Sequence, residues 1–374
     1  MNPRVLVAPD AFKSSISAAD AAHHLAQGLA SAGCVPIECP IADGGEGTVS
    51  VLESLGATVH SAKVTGALGR SSEAVWAELD GSAYVEVAQG SGAHQVPVAN
   101  AATCLAASST GVGQLILAAL DAGHRHIVLT TGGSGVSDGG AGMLSALGAR
   151  FWPPRAGISG GGSLSRVLGV DLSALDPRLR TTELVLAVDV RNPLLGAEGA
   201  ARTFAPQKGA GPEQVEILEA GLAHWADLVE SPEGARYRGT AGSGASGGIG
   251  FAALAALGAR PVSGADLVLD LLGVDARLQE AGLVVTGEGA LDRQSTQGKA
   301  PLALAQRALK HRVPVAVVAG RVELSPRELG DAGISASWSL VELAGSAAAA
   351  MAEPGQALEK AGRRVADWAL GRGR

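Results

Sequence analysis

The stretch Arg4-Val5-Leu6-Val7-Ala8-Pro9-Asp10, carried on through Ser17 to Val35-Pro36-Ile37-Glu38-Cys39-Pro40 and Asp43-Gly44-Gly45-Glu46-Gly47, decides the fold class. Arg4 to Ala8 is a short continuous apolar run, the pattern of a strand buried on both faces. A loop follows from Pro9 to Ser17, and Ala18 to Ala32 reads as a helix with Ser17 as N-cap and Gly33 as stop. Val35 to Pro40 is the next strand, and Gly47 to Leu55 the next helix, closed by Gly56. This rhythm predicts parallel strands joined by crossover helices.

Working outward, the texture changes near residue 57. Thr58 to Val64, Ser72 to Leu79 and Ala83 to Val87 are short alternating segments, with the hairpin signal Asp80-Gly81 between the last two. Helix Ser109 to Ala122, strand His126 to Thr130 and helix Gly139 to Leu147 follow, then a glycine-rich segment, Ser159 to Ser163, that reads as a flexible loop. Glu183 to Val190 is a further buried strand carrying Asp189 at its C-terminal end. After an Ala/Leu-rich helix from Ile249 to Leu257 the earlier rhythm returns. Gly282 to Thr286 is a strand, Pro301 to Lys310 a helix and Val313 to Ala319 a strand, with Ser335 to Val341 and helix Ala357 to Leu370 closing the chain. The simplest layout is one open α/β domain built from both chain ends, 1–57 and 281–374, with a mixed α/β domain, 58–280, inserted between.

Composition narrows the function classes. A chain of 374 residues, 47% hydrophobic and 17% charged, is long enough for two cores. Its net charge of −7, without a basic stripe and with few aromatics, argues against nucleic acid as a partner. No apolar run is long enough to span a membrane, and the N-terminal apolar stretch is too short for a signal peptide. Three cysteines, Cys34, Cys39 and Cys104, without metal-type pairing fit a reducing cytoplasm.

Three segments set carboxylates among glycines: Asp43-Gly44-Gly45-Glu46-Gly47, Ser137-Asp138-Gly139-Gly140 and Gly287-Glu288-Gly289-Ala290-Leu291-Asp292. Glycine lets backbone approach a ligand closely, and a carboxylate there can hold Mg²⁺ or accept a proton. Asp10, Asp43, Asp189 and Glu288 all fall at or just past predicted C-terminal strand ends, where open parallel sheets bind ligands. Helix capping is the competing reading for each acid, Asp138 above all. Of only six lysines, Lys13, Lys208 and Lys299 lie in loop motifs suited to an anionic ligand. Thr130-Thr131-Gly132-Gly133-Ser134-Gly135 follows a strand and is read as opening a helix, an anion nest or a plain connection. Gly242-Ser243-Gly244-Ala245-Ser246-Gly247 matches G-x-G-x-x-G without a preceding strand, so a dinucleotide fold is rejected and a phosphate contact kept. No histidine belongs to a Ser-His-Asp pattern, and His60 reads as structural.

At these segments the sequence resembles the type 1 glycerate kinases. The shared stretches are APDAFKSSISA (8–18), PIADGGEGT (40–48), TTGGSGVSDGGAGML (130–144), DVRNPLLG (189–196), APQKGA (205–210), GSGASGGIG (242–250) and TGEGALDRQSTQGKAP (286–301). The resemblance implies ATP- and Mg²⁺-dependent phosphorylation of D-glycerate, most often at the 2-hydroxyl. It implies a flavodoxin-like domain, a second α/β domain and an active site in the cleft between them.

On that basis Asp189 is the candidate base, with Lys13 and Asp43 completing the catalytic set. Asp43 and Asp292 are the candidate Mg²⁺ carboxylates, and Lys13 pairs with the glycerate carboxylate or the transferred phosphoryl group. Gly132, Gly133, Ser134 and Lys208 are assigned to nucleotide phosphate, with Glu288 also on the nucleotide side. A homodimer is left open. The rival readings are a Mg²⁺-dependent phosphatase of a small phospho-acid and a sensor of an acidic metabolite that lacks turnover.

Overall fold

The computed structural model describes residues 2–12, 15–153, 159–230, 234–292 and 299–371. Two compact units emerge, Met1–Asp43 with Ala265–Arg374, and Gly44–Gly264. The divisions at 43/44 and 264/265 fall earlier than the sequence boundaries at 57/58 and 280/281. Helix Thr48–Ser54 lies against the antiparallel strands of the second unit, and helix Val274–Glu280 lies against strand and helix of the first.

The first unit is a five-stranded parallel sheet. Its strands are β1 (Arg4–Pro9), β2 (Val35–Glu38), β11 (Leu283–Leu291), β12 (Val315–Val322) and β13 (Ala336–Ser339). Their order, β13-β12-β11-β1-β2, is the doubly wound 2-1-3-4-5 arrangement of flavodoxin-like sheets when the five are counted along the chain. The apolar runs explain the placement. Val5, Leu6 and Val7 in β1 and Val315 to Val318 in β12 are fully buried, so these strands need cover on both faces. Helix Ala18–Ser31 and the C-terminal helix Pro354–Ala369 supply part of that cover side by side, contributing Leu25, Leu29, Leu358 and Val365 to one core. Ser17 caps the first of these helices, its hydroxyl accepting the Asp20 amide. Both chain ends thus serve one core.

The second unit holds a six-stranded mixed sheet, ordered β10-β9-β6-β5-β4-β3. Here β3 is Thr58–Thr65, β4 Ser71–Leu79, β5 Ser82–Glu86, β6 His126–Thr130, β9 Glu183–Ala187 and β10 Arg260–Val262. β3, β4 and β5 are antiparallel neighbours, and β5, β6, β9 and β10 run parallel. Asp80 and Gly81 both take positive φ, and Leu79 pairs with Ser82 across them, the two-residue hairpin that the sequence signals. His60 stacks on Trp76 at a centroid separation of 4.2 Å, a packing role. A small hairpin of β7 (Arg150–Trp152) and β8 (Gly169–Asp171) stands apart from the sheet.

Three expectations need correction. Strand β11 does not stop at Thr286 but runs to Leu291, so Glu288 is a strand residue. Gly287 and Gly320 permit this, since a Cβ on either would overlap a carbonyl of the neighbouring strand, Val318 or Gly289. The Ser159–Ser163 segment is no loose loop. Gly161 begins a 3-10 helix to Arg166, Gly160 and Gly161 pack against residues 105–106 and 137, and Ser163 is buried. Helix Pro212–Val229, of 18 residues, went unread in the sequence although it buries Leu218, Leu222 and Trp225.

No helix among the described residues is long and apolar enough to cross a membrane. The three cysteines are buried and form no disulfide.

Candidate active site

In the second unit three parallel strands end flush, with Glu86 opposite Thr130 and Thr130 opposite Ala187. What lies beyond those ends is built almost wholly from the glycine motifs. The Glu86 carboxylate, 2% exposed, accepts the Gly47 amide at 3.1 Å and the Val49 amide at 3.2 Å, which fixes the Gly44–Thr48 turn from below. Thr48 Oγ1 closes that turn on the Gly45 carbonyl at 2.7 Å. A buried carboxylate whose two oxygens each receive a backbone donor is a rigid support.

After β6 the chain turns over β9, with the Thr131 amide and hydroxyl both donating to the Ala187 carbonyl. The Gly132 amide then donates to Ser246 Oγ at 3.1 Å. Side chains are excluded here by proximity: a Cβ on Gly132 would sit 2.9 Å from Gly45 Cα, and one on Gly133 2.7 Å from Glu46 Oε2. Ser246 itself adopts φ 50°, ψ 43°, a left-handed conformation rarely taken by serine. The glycines beside it serve packing, since a Cβ on Gly247 would overlap the Val136 carbonyl. The G-x-G-x-x-G match is therefore a close-packed support under the Thr131–Gly135 turn. That turn does not open a helix directly, because the next helix starts at Ala141.

Asp189 lies two residues past β9, half-buried. Its Oδ1 accepts Ser263 Oγ at 3.0 Å and the Gly264 amide at 2.9 Å. Gly264 in turn touches the first turn, as a Cβ on Gly44 would come 2.5 Å from Gly264 Cα. Asp189 and the Gly44–Gly47, Gly132–Ser134 and Gly242–Gly248 segments thus form one neighbourhood.

Lys208 sits behind the nest, buried, with Nζ donating to Ser134 Oγ at 3.2 Å and to the Val136 carbonyl. Burial pulls its ammonium down to about 8, partly offset by the nearby Asp138 charge. Asp138 is fully buried and accepts from Ser109 N and Oγ, Gly140 N and Gly142 N. Desolvation raises its carboxyl above the ordinary range while those donors oppose the rise. Asp138 organises the helix entry.

In the first unit, acids gather at the ends of β1 and β11. Asp10 is buried just past β1, its Oδ1 accepting the Ala11 amide at 2.6 Å and its own amide bonded to the Gly287 carbonyl. Glu288, 6% exposed, pairs through Oε2 with Lys299 Nζ at 3.0 Å. Asp10, Asp43, Glu288 and Lys299 share the wall of a cavity of about 520 Å³. Asp292 follows β11 directly, half-buried and outside that lining. Lys13 lies outside the described residues. Among the described residues no group of three or more His, Cys, Asp or Glu gathers to hold a metal ion.

The structure therefore brings Asp189, Gly132, Gly133, Ser134 and Lys208 together in one unit, and Asp43 with Glu288 in the other. Sequence reasoning missed Glu86, Ser246, Ser263 and Arg321, the last a further residue of the cavity wall. Only Ser246 left a trace, as a polar residue inside a glycine run whose backbone must turn left-handed.

The sequence profile of the Glycerate kinase family matches residues 5–370. Glycerate kinase of Bacillus subtilis (strain 168) is 39% identical over 370 residues, 97% of either chain. Glycerate 2-kinase of Escherichia coli (strain K12) is 38% identical over 351 residues, 92% of either chain. A crystal structure of a candidate glycerate kinase 2 from Salmonella typhimurium LT2 shares 36% identity at a TM-score of 0.77, covering 99% of this chain and 98% of that one. The chain belongs to the glycerate kinase family and is a phosphotransferase.

Proposed function

We propose that the chain transfers the γ-phosphoryl group of ATP to the 2-hydroxyl of D-glycerate, giving 2-phosphoglycerate and ADP. The observation that carries this reading is Asp189, a carboxylate held at the end of β9 by Ser263 and Gly264 amid three glycine turns. A half-buried carboxylate so anchored is suited to orient a substrate hydroxyl and accept its proton. The new bond joins that oxygen to the γ-phosphorus as the β–γ bridge breaks toward ADP, a transfer that depends on positioning and electrostatics. The 2-hydroxyl is favoured because the Escherichia coli relative is named a glycerate 2-kinase.

Gly132, Gly133 and Ser134 give a backbone turn on which anionic oxygens can rest. Lys208 acts there from beneath, through its bonds to Ser134 and Val136, as well as by its charge. Lys13 is assigned to the glycerate carboxylate or the transferred group. Mg²⁺ suits the donor set, because it takes one or two carboxylates and completes its shell with phosphate oxygens and water. Asp43, beside Asp10 on the cavity wall, and Asp292 would hold it, and Glu288 with Lys299 would face the nucleotide. When bound, the ion supplies neutralisation of charge on the nucleotide phosphates.

We also assign the two compact units as the functional domains and place the enzyme in the cytoplasm, where three cysteines without a disulfide are at home. A homodimer fits this reading. The test is a coupled assay of ADP release with ATP and D-glycerate. Glycerate-dependent ADP is expected, whereas phosphate release from a phospho-acid without nucleotide would favour a phosphatase.

A further inference from the structure

The first unit's cavity is more than a place for acids. It lies where the strand order reverses, between β1 and β11, and ligands of doubly wound sheets settle at that switch point beyond the strand ends. One part of its wall is charged, formed by Asp10, Asp43, Glu288, Lys299 and Arg321. Another is apolar, formed by Phe12, Leu340, Val341, Ala350 and Met351. Glycerate presents a carboxylate and two hydroxyls on three carbons, so it has nothing to bury against such a wall. A purine nucleoside does, and a cavity of about 520 Å³ is of the size that takes nucleotide-sized ligands.

We propose that this cavity is the nucleoside pocket for the donor nucleotide, the base lying against Leu340, Val341, Ala350 and Met351 and the phosphates directed to the charged end. The two ends follow the chain. The charged end comes from the C-terminal parts of β1, β11 and β12 together with Asp43 after β2 and Lys299 at a helix start, and most of the apolar one from the segment Leu340–Pro354 after β13. Met351 is 58% exposed on this wall, and its unbranched thioether can adjust to a flat ring without disturbing the core. Arg321 adds a permanent cation to the wall that carries the Glu288–Lys299 pair, which suits ribose oxygens or phosphate better than a neutral ligand. The proposal rests on the ATP-dependent reading above and assigns the nucleoside to the first unit.

Two measurements on the full-length enzyme test it. Ala347 lines the cavity yet is exposed, so Ala347→Trp fills the space without entering the core. The KM for ATP should rise about tenfold or more, which corresponds to about 1.4 kcal/mol of lost binding, with the KM for D-glycerate within about twofold. A rise confined to the glycerate KM, or no change in either, overturns the assignment. Independently, wild-type enzyme is photolabelled with 8-azido-ATP and its peptides mapped by mass spectrometry. Label in residues 340–354, suppressed by ATP and not by glycerate, is the expected result. Label only within 44–264 overturns the pocket. If 340–354 is labelled but D-glycerate supports no ADP release, the pocket stands and the glycerate reading fails.

Discussion

The two units treat the same position of a parallel sheet in opposite ways. Beyond β1 and β11 the first unit leaves a cavity, with Asp10, Asp43 and Glu288 on its wall. Beyond β5, β6 and β9 the second unit fills that position with backbone, three glycine segments lying against each other at distances no side chain tolerates. An open cavity accepts a sizeable ligand and forgives small changes in its wall. A stack of backbone turns fixes the few polar groups it carries, and Asp189 inherits its position from that stack. The contrast suits a kinase, which must hold a large donor and place a small acceptor accurately.

Five variants test this contrast, and the largest effect belongs to Asp189. Asp189→Asn should lower kcat by roughly a hundredfold or more while the unfolding midpoint barely moves, because the amide keeps an acceptor for Ser263 and Gly264. Steady-state rates near wild type would remove Asp189 from the chemistry. Next comes Gly247→Ala, which combines positive φ with overlap on the Val136 carbonyl and should cost about 3 kcal/mol in urea unfolding. Gly258→Ala provides the control, with positive φ but open space, at about 1 kcal/mol. Equal losses would mean that packing does not hold the second unit's turns.

Glu86→Gln should cost about 1–2 kcal/mol, since one of the two backbone donors loses its acceptor. It should also raise the glycerate KM more than it lowers kcat, a split that a purely structural loss would not produce. The smallest effect is a pH slope. Lys208 is held at about 8 when folded, against roughly 10.4 for a free lysine. Between those values the unfolded chain binds the additional proton, so stability should rise with pH by at most about 1.4 kcal/mol per unit. Below about 8 the charged, buried ammonium weighs against the fold. Urea midpoints from pH 7.5 to 10 should show the rise in wild type and not in Lys208→Met, and matching slopes would place the ammonium in water.

Much of the fold was legible because its strands are continuous apolar runs followed by capped helices. His126–Thr130 and the Asp80-Gly81 hairpin carry their structure locally. One open α/β sheet built from both chain ends was legible in their shared strand–helix rhythm, whereas its flavodoxin-like order was implied only by the family resemblance. What escaped was set by tertiary contact. Helix Pro212–Val229 has an apolar face that only its partners define, and Ser159–Ser163 looked loose because glycine signals freedom and close packing alike. Glu288 was read in a loop because its flanking glycines resemble a turn, although Gly287 is there to let β11 meet β12. The acids Asp43 and Asp189 were visible in sequence. Ser263, which holds Asp189, and Glu86, which holds the Gly44–Thr48 turn, were not, since a hydrogen bond spanning dozens of residues leaves no local pattern.

The most direct test of the central claim is a phosphorus NMR spectrum of the product formed from ATP and D-glycerate by the purified enzyme. A single new phosphomonoester resonance matching 2-phosphoglycerate, appearing in step with ADP, is the predicted result. The resonance of 3-phosphoglycerate would contradict the assigned hydroxyl, and a spectrum showing no glycerate-dependent phosphomonoester would contradict the phosphoryl transfer itself.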